Sequence, residues 1–127
     1  MNVVITGTSS GLGEALESLF RFQNHRVIGS TNDPEKVDVT RLLLDLKSSS
    51  STRTFANCVH IGFVGQVDLL INCAGVNAIR PFAELDRTFI ENIMAVNFVG
   101  PVMLTQHLLP MMPQQQGGPQ PIPPQIL

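Results

Sequence analysis

Apolar positions change period several times along the first hundred residues. Val3 to Thr6 is a short, uncharged, β-branched run, the pattern of a strand buried on both faces of a parallel sheet. A glycine-rich stretch, Gly7-Thr8-Ser9-Ser10-Gly11-Leu12-Gly13, follows it. Leu12, Ala15, Leu16, Leu19 and Phe20 then recur on one helical face, with Glu14 and Glu17 on the other side near the positive end of the helix dipole. Val27 to Ser30 reads as a second strand, stopped by Asn32-Asp33-Pro34. Leu42 to Leu44 reads as a third, closed by Asp45, and the short connection before it predicts a reduced crossover helix. Ser48 to Ser51 offers several N-caps, and Phe55, Val59 and Phe63 predict a core-facing helix behind them. Val67 to Ile71 reads as a fourth strand. From Glu84 to Phe98 the pattern is apolar nearly all round, which predicts a helix buried on more than one side. Pro101 predicts a kink there, with Met103 to Leu109 as the continuation.

Strand and helix thus alternate four times, the signature of an open parallel α/β sheet with right-handed crossovers. The pattern ends at residue 112. Residues 113–127 hold five Pro, five Gln and no charge, too little apolar surface to offset an ordering cost of about 1–2 kcal/mol per residue. They read as a loose tail, and the four prolines between Pro119 and Pro124 argue against a central strand. The abrupt change of character suggests a frame change or premature stop.

Composition narrows the partners. A chain of 127 residues, 43% of them hydrophobic, suffices for one compact domain. A net charge of −2 and the lack of a Lys/Arg cluster argue against nucleic acid and anionic membranes. No uninterrupted apolar run approaches the roughly 20 residues that cross a bilayer, and the N-terminus lacks a signal-peptide layout. Cys58 and Cys73 make neither a disulfide framework nor a metal cluster. A cytoplasmic protein without a metal, membrane or nucleic-acid partner is expected.

Strand, glycine turn and helix in succession form an anion site. The backbone must come close to the phosphates, and the first-turn N–H groups of the helix point at them. Gly7, Gly11 and Gly13 allow the approach, and Thr8, Ser9 and Ser10 add hydroxyls. An ordinary glycine-rich loop is the plain alternative.

The spacing from Thr6 to Gly13 is T-G-x-x-x-G-x-G. Asp45 closes the third strand, Asn72-Cys73-Ala74-Gly75 follows the fourth, and Asn97 ends Met94-Ala95-Val96-Asn97 ahead of Leu108-Leu109-Pro110. In this order the motifs resemble the short-chain dehydrogenase/reductase family over roughly residues 1–118, about the first half of a typical member. The family's N-N-A-G is matched at three of four positions, with Cys73 in place of the second Asn. The resemblance implies a Rossmann-like, doubly wound parallel sheet, truncated after about four strands. It implies that NAD or NADP is held by Gly7, Ser9, Ser10, Gly11, Leu12, Gly13, Asp45, Leu46, Asn72, Ala74 and Gly75, with Asp45 contacting the adenine. It makes Asn97 the catalytic-tetrad Asn that holds a water in a proton relay, and a small carbonyl or alcohol the substrate.

In that family a Ser and a Tyr-x-x-x-Lys beyond this Asn act on the carbonyl. This chain has no Tyr, no Lys after Lys47 and no Ser after Ser51. A general acid must lie within hydrogen-bond reach of the oxygen it protonates. His107 is the only titratable side chain beyond Asn97 and reads as helix surface, while His25 and His60 read as surface or packing residues. The expectation is a retained dinucleotide-binding half that is inactive alone. Two rivals stand beside it: half of an active two-chain reductase, and a non-catalytic module pairing through the apolar helix near 84–98. The fourth strand is expected as an open edge beside that helix, which predicts a homo-oligomer or pairing with another chain. The choice of nicotinamide stays open. No Arg follows the second strand to clamp a 2′-phosphate, and Asp33 is either a ribose-binding acid or a turn residue.

Overall fold

The computed structural model describes residues 1–113 and 125–127. Five parallel strands form one sheet: β1 (Asn2–Ile5), β2 (Arg26–Thr31), β3 (Arg41–Leu43), β4 (Leu69–Ile71) and β5 (Gln125–Ile126). Their spatial order is β3-β2-β1-β4-β5. Val3 pairs with Val27 on one side and Leu69 on the other, and Gly29 pairs with Arg41. The helices are α1 (Gly11–Phe22), α2 (Ser49–Gly62), α3 (Arg87–Met94) and α4 (Gly100–Leu108). The crossover between β2 and β3 is reduced to a short 3₁₀ turn, Pro34–Lys36, as its length predicts.

Side chains alternate across the central strands and build two cores. Val4 and Leu70 face α2 and α4, where Phe55, Val59, Leu104 and Leu108 are buried. Val3, Ile5, Val27, Leu69 and Ile71 face the other way, under Leu16 and Phe20 of α1. Ser48 caps α2 by accepting from the Ser51 N–H, and Phe55, Val59 and Phe63 all point inward as their spacing predicts.

Four expectations are corrected. Only part of the apolar stripe of α1 packs on the sheet: Leu16 and Phe20 do, Leu12 and Leu19 are 68% and 49% exposed, and the buried positions are Gly13 and Glu17. Glu17 tolerates burial because Arg21 and Arg41 neutralise it at 2.8 and 3.0 Å.

The helix expected to be buried on more than one side has no buried residue in α3 or in the π-turn Ala95–Val99 behind it. Its pattern records apolarity: Val96 packs against the core while only partly buried, and the fully buried side chains of the run, Leu104 and Leu108, lie in α4. The chain does not kink simply at Pro101. The wider π-turn lies just ahead of it, at the site where Pro lacks an N–H for the α-helical ladder. The helical run Arg87–Met111 is therefore continuous. With 25 residues, and a mean hydropathy of 1.3 over an 18-residue window, it is by length and composition long and apolar enough to cross a membrane, although no uninterrupted apolar run in the sequence is.

Strand β4 is not left as an open edge. Leu70 pairs with Ile126, the Leu127 N–H donates to the Leu70 carbonyl at 2.8 Å, and the Asn72 N–H donates to the Leu127 carbonyl at 2.6 Å. Gln125 to Leu127 follow the last proline, so their N–H groups are available for a ladder. Among the described residues the sheet has five strands, the short β5 joining the four read from the sequence. Most of the expected loose tail, residues 114–124, lies outside the described residues.

Candidate functional site

The strand order reverses between β1 and β4, so the chain leaves the carboxyl ends of these neighbours in opposite directions. Such a switch point opens a crevice in a parallel sheet. Thr6 braces it. Its buried hydroxyl oxygen accepts from the N–H groups of Cys73 and Ala74 at 3.0 and 2.9 Å, which ties the end of β1 to the segment after β4. A Cβ on Gly7 would lie 2.8 Å from Ala74 Cα, so the two segments approach this closely only with glycine. Gly13 is held as tightly: a Cβ there would overlap the Gly7 carbonyl oxygen.

Gly11 opens α1 with a φ of +57°, a left-handed conformation that costs other residues energy. Ser10 before it has extended backbone, and its hydroxyl does not cap the helix. The first-turn N–H groups of α1 thus lack a side-chain cap, beside a glycine turn held against β2 by Thr8 N–H to the Ser30 carbonyl at 2.8 Å. The Gly7 N–H likewise donates to the Ser30 hydroxyl at 3.1 Å.

A pocket of about 310 Å³ lies here. Of the residues singled out in the sequence, Gly7, Ser9, Ser10, Leu12 and Gly13 line it from the turn. Asp45 and Leu46 line it from the end of β3, and Ala74 and Gly75 from the end of β4. Gly11, Asn72 and Asn97 do not. Gly11 shapes the turn. Asn72 pairs with β5 through its main chain, and its side-chain oxygen is buried without a partner.

Asn97 lies in the π-turn, exposed, with its amide engaged twice by one residue. Its Oδ1 accepts from the Val76 N–H, and its Nδ2 donates to the Val76 carbonyl, both at 2.8 Å. In this structure it clamps the segment after β4 to the long helix.

The lining also includes Ser30, Thr31 and Asn32 at the end of β2, together with Lys47, Cys73 and Val96. Asp45 and Lys47 are its charged residues. Lys47 and Cys73 are signalled in the sequence by their places beside Asp45 and Asn72 at strand ends; Val96 reaches the pocket through tertiary packing, which sequence does not signal. Asp33 does not line the pocket: its carboxylate accepts from the Glu35 N–H at 3.0 Å, as a turn residue does. His25 accompanies the N-terminal amine at 3.2 Å, and His60 is exposed on α2.

The sequence matches the short chain dehydrogenase family over residues 1–119. An NADPH-dependent pterin aldehyde reductase from Arabidopsis thaliana is 33% identical over 128 residues, covering 91% of this chain and 52% of the relative. A short chain dehydrogenase from Aspergillus calidoustus is 33% identical over 123 residues, 91% of this chain and 48% of the relative. A solved short-chain dehydrogenase from Streptomyces avermitilis superimposes with a TM-score of 0.78 at 27% identity, over 86% of this chain and 43% of that one. The chain spans about half the length of these curated relatives. Family match, sheet order and switch-point pocket agree: this chain belongs to the short-chain dehydrogenase family.

Proposed function

We propose that the chain binds a nicotinamide dinucleotide, NAD or NADP, in the pocket at the β1/β4 switch point, and that these 127 residues alone do not transfer hydride. One observation carries the binding half: the N-terminus of α1 has no side-chain cap and adjoins a glycine turn whose backbone lines the pocket. The pyrophosphate would lie against Gly11 to Gly13, and Asp45 and Leu46 would face the adenine. Lys47 supplies the positive charge in the lining. An NADPH-dependent relative supports the cofactor class. It also points to a small carbonyl or its alcohol as the substrate class of the complete oxidoreductase.

The inactive half of the proposal rests on proton chemistry. Hydride delivery to a carbonyl requires an acid at the oxygen. Asn97 is the tetrad residue these residues retain, its amide engages the Val76 main chain, and no Tyr is present. NADPH and NADH are titrated separately into the purified chain by calorimetry, then incubated with a panel of aldehydes and ketones. Saturable binding of at least one is expected, with no nicotinamide oxidation above the protein-free rate. Steady turnover that is lost in Asn97→Ala would overturn the inactive half, and the absence of binding would overturn the rest.

A second reading, self-pairing through the long helix, is favoured by Ile90, Met94, Phe98 and Val102. They recur every four residues and are 48–59% exposed. Light scattering at micromolar concentration is expected to give a species larger than a monomer, and a monodisperse monomer would count against it.

A further inference from the structure

Behind the glycine turn, on the side away from the pocket, three elements meet in one polar cluster. Thr8, fully buried, lies against Gly29 of β2, where any side chain would strike its hydroxyl. The Thr8 oxygen accepts from Arg41 Nε at 3.1 Å. The same guanidinium donates through a terminal nitrogen to Glu17 Oε2 at 3.0 Å. One guanidinium, that of Arg41, thus bridges Thr8 and Glu17. Arg21 completes the cluster: it donates from Nε and a terminal nitrogen to Glu17 Oε1 at 3.1 and 2.8 Å, and to the Val27 carbonyl at 2.9 Å. Burial pushes the Glu17 carboxyl up, but Arg41, Arg21 and Thr8 together hold it below the usual carboxylate value.

Gly13, Glu17 and Arg21 succeed one another at four-residue intervals on the sheet-facing side of α1. The Arg41 bridge therefore ties α1, through Glu17, to the second residue of the glycine turn, Thr8. Arg41 is set for this by its β3 register opposite Gly29 and by Asp38, whose Oδ1 accepts from the Arg41 N–H at 2.8 Å.

We infer that Arg41 and Glu17 are positioning residues for the dinucleotide, acting through Thr8 to aim the backbone N–H groups of the glycine turn and α1 at the pyrophosphate. This rests on the dinucleotide reading of the pocket. A guanidinium reaches two acceptors in one plane, whereas a lysine ammonium at the same position is a point donor. The arrangement therefore asks for arginine rather than positive charge alone.

Arg41→Met, Arg41→Lys and Thr8→Val are compared with the wild-type chain. Each is titrated with the dinucleotide the wild type binds more tightly and with adenosine, which has no pyrophosphate. Arg41→Met and Thr8→Val are expected to weaken the dinucleotide about tenfold and adenosine less than about twofold, with Arg41→Lys intermediate. An unchanged dinucleotide constant, or equal losses for both ligands, overturns the inference. Circular dichroism checks folding, and Arg41→Lys and Thr8→Val carry the comparison if Arg41→Met does not fold. A wild-type chain that binds neither ligand overturns the dinucleotide reading itself, and this inference with it.

Discussion

Gly13→Val abolishes dinucleotide binding and costs the fold about 4 kcal/mol or more. A Cβ at this position would overlap the Gly7 carbonyl oxygen and lie 2.7 Å from its carbon and 3.2 Å from Thr8 Cα. All three atoms belong to the backbone of the turn, so no rotamer change relieves the contact. Either α1 retreats, which removes its N–H groups from the pocket, or the turn moves off Ser30. The expected result is a lower melting temperature together with no saturable heat on titration with NADPH or NADH. Wild-type melting and wild-type affinity in this variant would mean that the close approach of Gly13 to the turn is not what holds the site.

The second large effect is Phe55→Ala. Phe55 is the largest fully buried side chain, 1% exposed, between the sheet and α2 and in the same core as Leu104 and Leu108. Truncation leaves a cavity that a rigid strand-and-helix interface cannot close, and about 3–5 kcal/mol is expected. That is a large share of the roughly 5–15 kcal/mol that stabilises a natural domain. Phe98→Ala is the control: this ring is 59% exposed, and a change within about 0.5 kcal/mol is expected for the monomer. Urea midpoints at unchanged slope read both values. A loss at Phe98 as large as at Phe55 would show that the exposed helix face is covered in solution.

The parts of this molecule that are legible in sequence are those where backbone geometry leaves one residue type. Gly7 and Gly13 are required by contacts that a Cβ would break, so residue type and spacing alone locate the turn, its strand and its helix. The β-branched runs of β1 and β4 and the spacing of Phe55, Val59 and Phe63 report burial in the same direct way.

What sequence does not signal is set by tertiary partners. Glu17 reads as a solvent residue on an amphipathic helix, and it is Arg41, 24 residues away, that together with Arg21 makes it an interior one. Two-residue β5 carries almost no periodic signal, and its place beside β4 is a long-range pairing. Apolarity along Arg87–Met111 shows what favours burial, while no residue of α3 is buried by the described residues. In the site, Asp45 and Ala74 are legible through motif position. Motif position assigns Asn97 a chemical role, and the structure shows its amide clamping Val76.

The central claim is that this pocket, by way of the glycine turn, holds the dinucleotide. Amide chemical shifts of the isotopically labelled chain, followed during titration with NADPH and then NADH, test it residue by residue. Saturable shifts are predicted at Gly7 and Ser9 to Gly13, at Asp45 to Lys47 and at Ala74 to Val76, with α2 unmoved. An absence of saturable shifts, or shifts confined to the exposed face of Arg87–Met111, would contradict it.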